Sequence, residues 1–130
     1  MNPSIGRPTV ICVDDDPAVL AALQRTLRNE PIQVLTTDRP ERVLEWIDQY
    51  RVDLVISDHR MQEMAGTELL EHVWRRSPGT ARIILTAYPA MATRAIDLVG
   101  AVDRIISKPW DGEALKGAIR EIVIDRVPED

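Results

Sequence analysis

The stretch TVICVDDDP, residues 9–17, decides the fold of this chain. Its first five residues, 9–13, form a short run without polar alternation, which is typical of a strand buried on both faces of a parallel sheet. Asp16 and Pro17 then have the residue types of a helix N-cap and a first helical position. The consecutive aspartates therefore lie in the turn between a buried strand and a helix.

The rest of the chain repeats this order of strand and helix. Further strands are predicted at 32–36, 53–57, 82–85 and 104–107. Five β/α units predict an α/β fold, a doubly wound five-stranded parallel sheet of flavodoxin-like order 2-1-3-4-5 with five helices. The residues predicted to face inward from the helices are Leu20, Leu23 and Leu27; Val43, Leu44 and Ile47; Leu69, Leu70 and Val73; Ala92, Ala95, Ile96 and Val99; and Leu115, Ala118, Ile119 and Ile122.

Composition restricts the class of protein. With 130 residues, 45% of them hydrophobic and 28% charged, we expect a single domain over residues 1–130. The formal net charge of -5 argues against a nucleic-acid surface. No apolar run approaches a membrane span, and no signal peptide is indicated. With Cys12 as the single cysteine, set among apolar neighbours, these features predict a cytoplasmic protein that does not contact a membrane.

Polar residues follow four of the predicted strands. Asp14 and Asp15 follow the first strand, Asp58 the third, Thr86 the fourth and Lys108 the fifth. In a sheet of this order, ligands bind beyond the carboxyl ends of the strands where the order reverses. Clustered carboxylates recruit a hard cation such as Mg²⁺, while a hydroxyl and an ammonium complement a phosphate. Each residue alone is explained by a cap, a loop or a surface charge, but the set predicts a site for Mg²⁺ and a phosphoryl group.

Four short blocks carry a resemblance to a known family. They are VDDDP at 13–17, SDHRM at 57–61 with Gly66 downstream, LTA at 85–87, and KP at 108–109. With these blocks the chain resembles the receiver domains of bacterial two-component response regulators, CheY-like, over a core of roughly residues 8–125. The resemblance implies an aspartate that accepts a phosphoryl group in a Mg²⁺-dependent reaction.

The resemblance also implies a role for each matching residue. Asp58 corresponds to the phosphorylated aspartate and Lys108 to the lysine that pairs with the phosphoryl group. The family also implies a cis peptide bond between Lys108 and Pro109. Thr86 corresponds to the hydroxyl that reorients toward that group. The metal ligands implied are Asp15 directly, Asp14 through water, Arg60 through its backbone carbonyl, and Asp58.

Partners are implied by the same resemblance. The phosphoryl donor would be a phosphohistidine on a sensor histidine kinase or phosphotransfer protein, and the chain would be a signalling domain and not an enzyme. Arg60, Tyr88 and Trp110 resemble a subgroup joined to HD-type cyclic-dinucleotide phosphodiesterases or to activators of the hydrogenase-regulator kind. No such effector domain is recognised in the chain, and a homodimer formed on phosphorylation stays open.

Two departures from the family pattern leave an alternative function open. Ile105 stands where many members have a Tyr or Phe that moves on activation, and the loop at 61–64 lacks the usual proline. The alternative is a receiver-like interaction module with impaired phosphorylation switching. An aspartyl phosphatase of the haloacid-dehalogenase type is disfavoured because it has a second Asp where this chain has Arg60, and no Gly-rich loop indicates a nucleotide or flavin site.

Arg60 and Tyr88 also lead to a hypothesis about lifetime. Each stands two residues after a residue of the predicted site, Asp58 and Thr86 respectively. Bulky side chains there would hinder a water in line with the acyl phosphate, which predicts slow self-dephosphorylation. The alternative is that both side chains extend into solvent and leave that path open.

Overall fold

The computed structural model describes residues 6–99 and 101–124, in which strands and helices alternate along the chain. The strands are β1 (Thr9–Val13), β2 (Gln33–Thr37), β3 (Leu54–Asp58), β4 (Ala81–Thr86) and β5 (Arg104–Ser107). The helices are α1 (Pro17–Leu27), α2 (Pro40–Gln49), α3 (Gly66–Arg76), α4 (Pro89–Val99) and α5 (Gly112–Ile119), the last continued by a π-helical turn at Arg120–Ile124. Within these residues no helix is both long and apolar enough to cross a membrane.

The strands form one parallel sheet in the order β2-β1-β3-β4-β5. This confirms the predicted fold class and strand order. The order reverses between β1 and β3, which are neighbours in the sheet although they are not consecutive in the chain. The carboxyl ends of these two strands therefore meet at the place where this kind of sheet binds ligands.

Strand boundaries differ from the predicted ones by one residue at several ends. β2 begins at Gln33 because Gln33 pairs with Thr9 in the ladder, whereas the Ile32 amide donates to the Glu30 carbonyl in a turn, 2.8 Å. β3 ends at Asp58, which pairs with Leu85 of β4. The phosphoacceptor candidate is thus the last residue of a strand and takes its position from the sheet.

Two apolar layers cover the sheet, one on each face. One contains alternate residues of the central strands, such as Val10 and Ile56, with side chains from α1 and α5. The other contains the intervening residues, such as Ile11 and Val55, with side chains from α2, α3 and α4. The predicted inward-facing residues found buried are Leu23, Leu27, Val43, Ile47, Leu69, Leu70, Val73, Ala92, Leu115, Ala118 and Ile119.

A few of the predicted inward-facing residues behave differently. Leu20, Leu44 and Ile122 are only partly buried and pack against the edges of the two layers. The side chains of Ala95, Ile96 and Val99, also predicted to face inward, lie outside the described residues. The buried stripes hold each helix against the sheet, so the loops beyond the strand ends start from fixed positions.

Candidate phosphorylation site

Asp14 and Asp58 face each other at the carboxyl edge of the sheet, with the ammonium of Lys108 between them. Lys108 Nζ lies 2.8 Å from Asp14 Oδ2 and 3.2 Å from Asp58 Oδ1. Asp14 follows β1, Asp58 ends β3 and Lys108 follows β5, so three strand ends supply the cluster. The structure thus brings together three of the residues that the sequence predicted.

Asp14 is the most enclosed of these groups, with 2% of its surface exposed. Burial raises the pKa of its carboxyl, although the hydrogen bonds from Lys108 and from the Asp16 backbone N–H act in the opposite direction. Asp14 Oδ1 accepts the latter bond at 2.9 Å. Both oxygens of Asp14 therefore accept hydrogen bonds from protein donors.

Lys108 has a raised pKa. Burial alone would lower the pKa of its ammonium, but the hydrogen bond to Asp14 and the charges of Asp14 and Asp58 outweigh that effect. The ammonium is therefore firmly charged at neutral pH. It balances one of two neighbouring carboxylates and leaves the pair with a net negative charge.

Asp15 connects the turn after β1 with the loop after β3. Its carboxylate oxygen Oδ2 accepts a 2.7 Å hydrogen bond from the Gln62 backbone N–H. The predicted ligands Asp15 and Asp58, together with the Arg60 carbonyl, give two carboxylates and one neutral oxygen, a set that fits Mg²⁺ because this ion retains several waters. Across the described residues, no cluster of three or more His, Cys, Asp or Glu side chains has a metal-holding arrangement. A Mg²⁺ site of two carboxylates does not require such a cluster.

Thr86 is buried and is the last residue of β4. It pairs with Ser107 of β5, and its carbonyl accepts a 2.7 Å bond from the Lys108 backbone N–H. Its side-chain Oγ1 accepts a 3.0 Å bond from the Tyr88 backbone N–H. The hydroxyl therefore stands beside the cluster and is linked to the turn that precedes α4.

The side chain of Arg60 is directed at the turn before α4. Its guanidinium carbon lies 5.6 Å from the centroid of the Tyr88 ring, and Nη2 donates to Met91 Sδ at 3.1 Å. Tyr88 and Arg60 are both exposed, as the solvent-directed alternative held, yet they contact each other. Sequence reasoning did not predict this contact.

Gly66 has a role that sequence reasoning did not identify. A Cβ atom at Gly66 would lie 1.9 Å from the backbone carbonyl oxygen of Asp58, so any side chain would displace the acceptor. The Gly66 N–H donates to the His59 carbonyl at 2.8 Å, and Ser57 Oγ donates to the Asp58 carbonyl at the same distance. Gly66 is the first residue of α3, and a glycine at that position was the sequence feature that could have indicated this close contact.

Two further features complete the site. The peptide bond between Lys108 and Pro109 is cis, as the family resemblance implied. His59, directly after the acceptor, is buried, and its Nδ1 has no hydrogen-bond partner within the described part of the chain. No local sequence pattern predicts the burial of this imidazole.

Comparison with known proteins agrees with the fold. The family model described as the response regulator receiver domain matches residues 10–120. The chain belongs to this family. The match confirms the resemblance seen in the sequence. Receiver domains are signalling domains of two-component systems.

Several similar proteins are transcriptional regulators. The transcriptional regulatory protein GlrR of Escherichia coli is 34% identical over 92% of this chain and 27% of its own length. The hydrogenase transcriptional regulatory protein HoxA of Cupriavidus necator is 31% identical over 88% of this chain and 24% of its own. This receiver domain thus spans about a quarter of the length of these relatives.

A solved structure shows the same fold. The signal receiver domain of an HD domain-containing protein from Pseudomonas fluorescens Pf-5 superimposes with a TM-score of 0.83 and 32% identity, covering 89% of this chain and 94% of the other. A hydrogenase regulator and an HD domain-containing protein are thus both among the similar proteins. The subgroup expected from Arg60, Tyr88 and Trp110 stays a prediction.

Proposed function

We propose that Asp58 is the phosphoryl acceptor of this receiver domain and that the reaction depends on Mg²⁺. The observation that carries the proposal is the placement of the Lys108 ammonium, 3.2 Å from Asp58 Oδ1 and 2.8 Å from Asp14 Oδ2. A cation there pairs with the acceptor before transfer and with a phosphoryl oxygen afterwards. Thr86, at the end of the adjoining strand, supplies the neighbouring hydroxyl.

The proposed reaction uses this geometry. A carboxylate oxygen of Asp58 attacks phosphorus, the bond from phosphorus to the donor breaks, and an acyl phosphate remains on the protein. Catalysis of such a transfer is mainly positioning and charge neutralisation. Asp15, Asp58 and the Arg60 carbonyl would hold Mg²⁺, with Asp14 holding it through water. When bound, the ion neutralises charge on the transferred group.

Intact-mass measurement after incubation with acetyl phosphate and Mg²⁺ tests this function. We expect the mass of one phosphoryl group on the wild-type protein, none on Asp58→Asn, and none on the wild type when EDTA replaces Mg²⁺. An adduct that persists in Asp58→Asn refutes the assignment of the acceptor.

We assign the output step to Thr86 and to the face formed by α4, β5 and α5. The hydroxyl accepts a bond from the Tyr88 N–H, so its reorientation toward a phosphoryl group changes the turn before α4. We expect Thr86→Ala to accept phosphate but to lose the amide shifts on this face. A full wild-type shift pattern in Thr86→Ala would exclude the hydroxyl as the trigger.

Membership of the family supports the remaining proposals. We infer that residues 1–130 comprise one receiver domain, that it acts in the cytoplasm as a phosphoacceptor and not as an enzyme, and that its donor is a sensor histidine kinase or a phosphotransfer protein. Relatives such as GlrR are named as transcriptional regulators, which supports an effector that acts on transcription. A homodimer on phosphorylation belongs to the same proposal.

A receiver-like module with impaired switching is the second candidate, because Ile105 replaces the usual aromatic residue. Ile105 is partly buried and packs against the layer under α2, α3 and α4. Ile105 has no aromatic ring that could reorient on phosphorylation. Phosphoryl incorporation without any change in the α4, β5 and α5 face would favour this candidate.

A further inference from the structure

Arg60, Tyr88 and Met91 form a bridge between the loop that follows the acceptor and the start of α4. We call these three residues the Arg60 bridge. Arg60 Nη2 lies 3.1 Å from Met91 Sδ, and the guanidinium carbon lies 5.6 Å from the Tyr88 ring centroid. Tyr88 and Met91 keep 59% and 43% of their surfaces exposed. The bridge is therefore a surface contact that can open without disturbing the core.

The contacts of Arg60 in this bridge are weak ones. A thioether sulfur is a poor hydrogen-bond acceptor, and a cation–π contact at an exposed position is modest. An acyl phosphate on Asp58, two residues earlier in the chain, would offer charged oxygens that guanidinium groups bind strongly, often through two hydrogen bonds. Phosphorylation therefore supplies Arg60 with a better partner than Met91 and Tyr88.

Tyr88 links the bridge to the backbone at the start of α4. Its carbonyl accepts bonds from the Met91 and Ala92 amides, at 3.1 and 3.2 Å, which are among the first amides of the helix. Its own N–H donates to Thr86 Oγ1. Reorientation of the Thr86 hydroxyl removes that acceptor, and departure of Arg60 removes the contact with the ring. Two of the attachments of this turn thus depend on whether Asp58 carries a phosphoryl group.

We propose that the Arg60 bridge holds the first turn of α4 in the unphosphorylated protein and that phosphorylation releases it by drawing Arg60 to the acyl phosphate. This inference rests on the proposed function of Asp58. It provides a route from the acceptor to α4 that does not use position 105, where this chain has Ile105 in place of an aromatic ring. Arg60 acts here as a positioning residue for α4.

The methyl group of Met91 reports on the bridge directly, since it lies beside a guanidinium and an aromatic ring. The experiment uses the whole chain with labelled methionine methyl groups, before and after treatment with acetyl phosphate and Mg²⁺, with intact mass recorded on the same sample. The variants are Arg60→Gln and, as a matched control, Arg94→Gln, which removes an exposed arginine from α4 itself. The Met91 methyl signal of the unphosphorylated wild type is the reference for all shifts.

We expect phosphorylation to move the Met91 methyl signal in the wild type and in Arg94→Gln. In Arg60→Gln the signal should already be displaced without phosphate and should move less than half as far on phosphorylation. The amides of Met91 and Ala92 should exchange roughly two- to fivefold faster in unphosphorylated Arg60→Gln, the size expected for loss of an exposed cation–π contact.

The outcomes separate this inference from the proposed function. A phosphoryl adduct with an unmoved Met91 signal overturns the bridge and leaves the acceptor role intact. An unphosphorylated Arg60→Gln whose Met91 signal matches the wild type also overturns the bridge. Absence of any adduct on the wild type overturns the proposed function and the release step together.

Discussion

The two edges of the sheet differ in how their buried charged groups are paired. At the amino edge, Arg82 is buried, but Nε donates to the Ala101 carbonyl and Nη1 to the Thr80 carbonyl, both at 2.7 Å. Asp53 accepts a 2.9 Å bond from the Thr9 N–H. At the carboxyl edge, Asp14 and Asp58 share the single ammonium of Lys108. The charged groups at the amino edge have hydrogen-bond partners in the protein, whereas the carboxyl edge has two carboxyl groups for one ammonium, an imbalance that is typical of functional sites.

The contrast explains why a cavity near the amino edge is not the candidate site. A cavity of about 330 Å³ lies there, lined by residues that include Thr80, Arg82, Asp103 and Ile122. The Arg82 guanidinium at its wall also lies 3.6 Å from Asp103 Oδ2, so its donors are already directed at protein oxygens. An anion entering this cavity would have to displace those bonds.

Replacement of the amino-edge arginine should produce the largest change in stability. We expect Arg82→Leu to lower the free energy of unfolding by about 3 kcal/mol, because it leaves two buried carbonyls without their donor. Urea denaturation measures this change. The matched control is Arg104→Leu, which breaks the exposed pair with Glu121 and should cost at most about 0.5 kcal/mol.

The same variant tests whether the two edges are independent. Arg82→Leu should still take up phosphate from acetyl phosphate at a temperature where it is folded. If a folded Arg82→Leu loses phosphoryl uptake, then the amino edge contributes to the site and the contrast between the edges is wrong.

The lifetime of the acyl phosphate tests what surrounds the carboxyl edge. Arg60 and Tyr88 contact each other beside the acceptor, and drawing Arg60 to the phosphoryl group would hinder an in-line water. We expect Arg60→Asn and Tyr88→Ala each to shorten the phosphoryl lifetime, with Arg60→Asn near tenfold, about 1.4 kcal/mol in the barrier. Loss of phosphate is timed at fixed Mg²⁺ for both variants and the double variant.

Equal rates in all four proteins would show that neither side chain shields the site. In that case both extend away from the in-line path in the phosphorylated protein, and the predicted slow dephosphorylation has no basis in these residues.

Removal of one negative charge from the carboxyl edge should stabilise the protein by a smaller amount. Burial raises the pKa of Asp14, so the folded protein binds a proton more tightly there than the unfolded chain does. Ionisation of Asp14 therefore lowers the stability of the fold as pH rises through its raised pKa. In the absence of Mg²⁺, we expect Asp14→Asn to raise the free energy of unfolding at neutral pH by about 1 kcal/mol.

The pH dependence provides the control for this prediction. The advantage of Asp14→Asn should shrink toward acidic pH, where Asp14 of the wild type is protonated as well. An advantage that is constant from pH 4 to pH 8, or a less stable variant at neutral pH, would contradict an unfavourable charge at Asp14.

Much of the fold and the site could be predicted from the sequence, for reasons visible in single residues. The uninterrupted apolar run at 9–13 marks a central strand, and Asp16 before Pro17 marks the helix start, where its side chain does accept the Ala18 N–H. Asp14, Asp58 and Lys108 were placed together because parallel strands deliver their carboxyl ends to one edge. The site residues themselves stay assignments to be tested by the experiments above.

Other features depend on contacts between distant segments that no local pattern encodes. The direction of the Arg60 side chain was open in the sequence because a long exposed cation has many rotamers, and only the turn before α4 provides Tyr88 and Met91 as its partners. The need for glycine at 66 arises from the packing of α3 against the Asp58 carbonyl. The pairing of Arg82 in β4 depends on Ala101, which lies before β5.

The sequence by itself determined the alternation of strands and helices and the residues at the strand ends, since periodicity and turn chemistry act over a few residues. The strand order followed from the rules for right-handed crossovers between parallel strands. Only the tertiary structure decided how close the Lys108 ammonium lies to Asp14 and to Asp58, and which segment Arg60 contacts. Those choices depend on distances of a few ångströms between separate loops, and packing of the whole chain sets these distances.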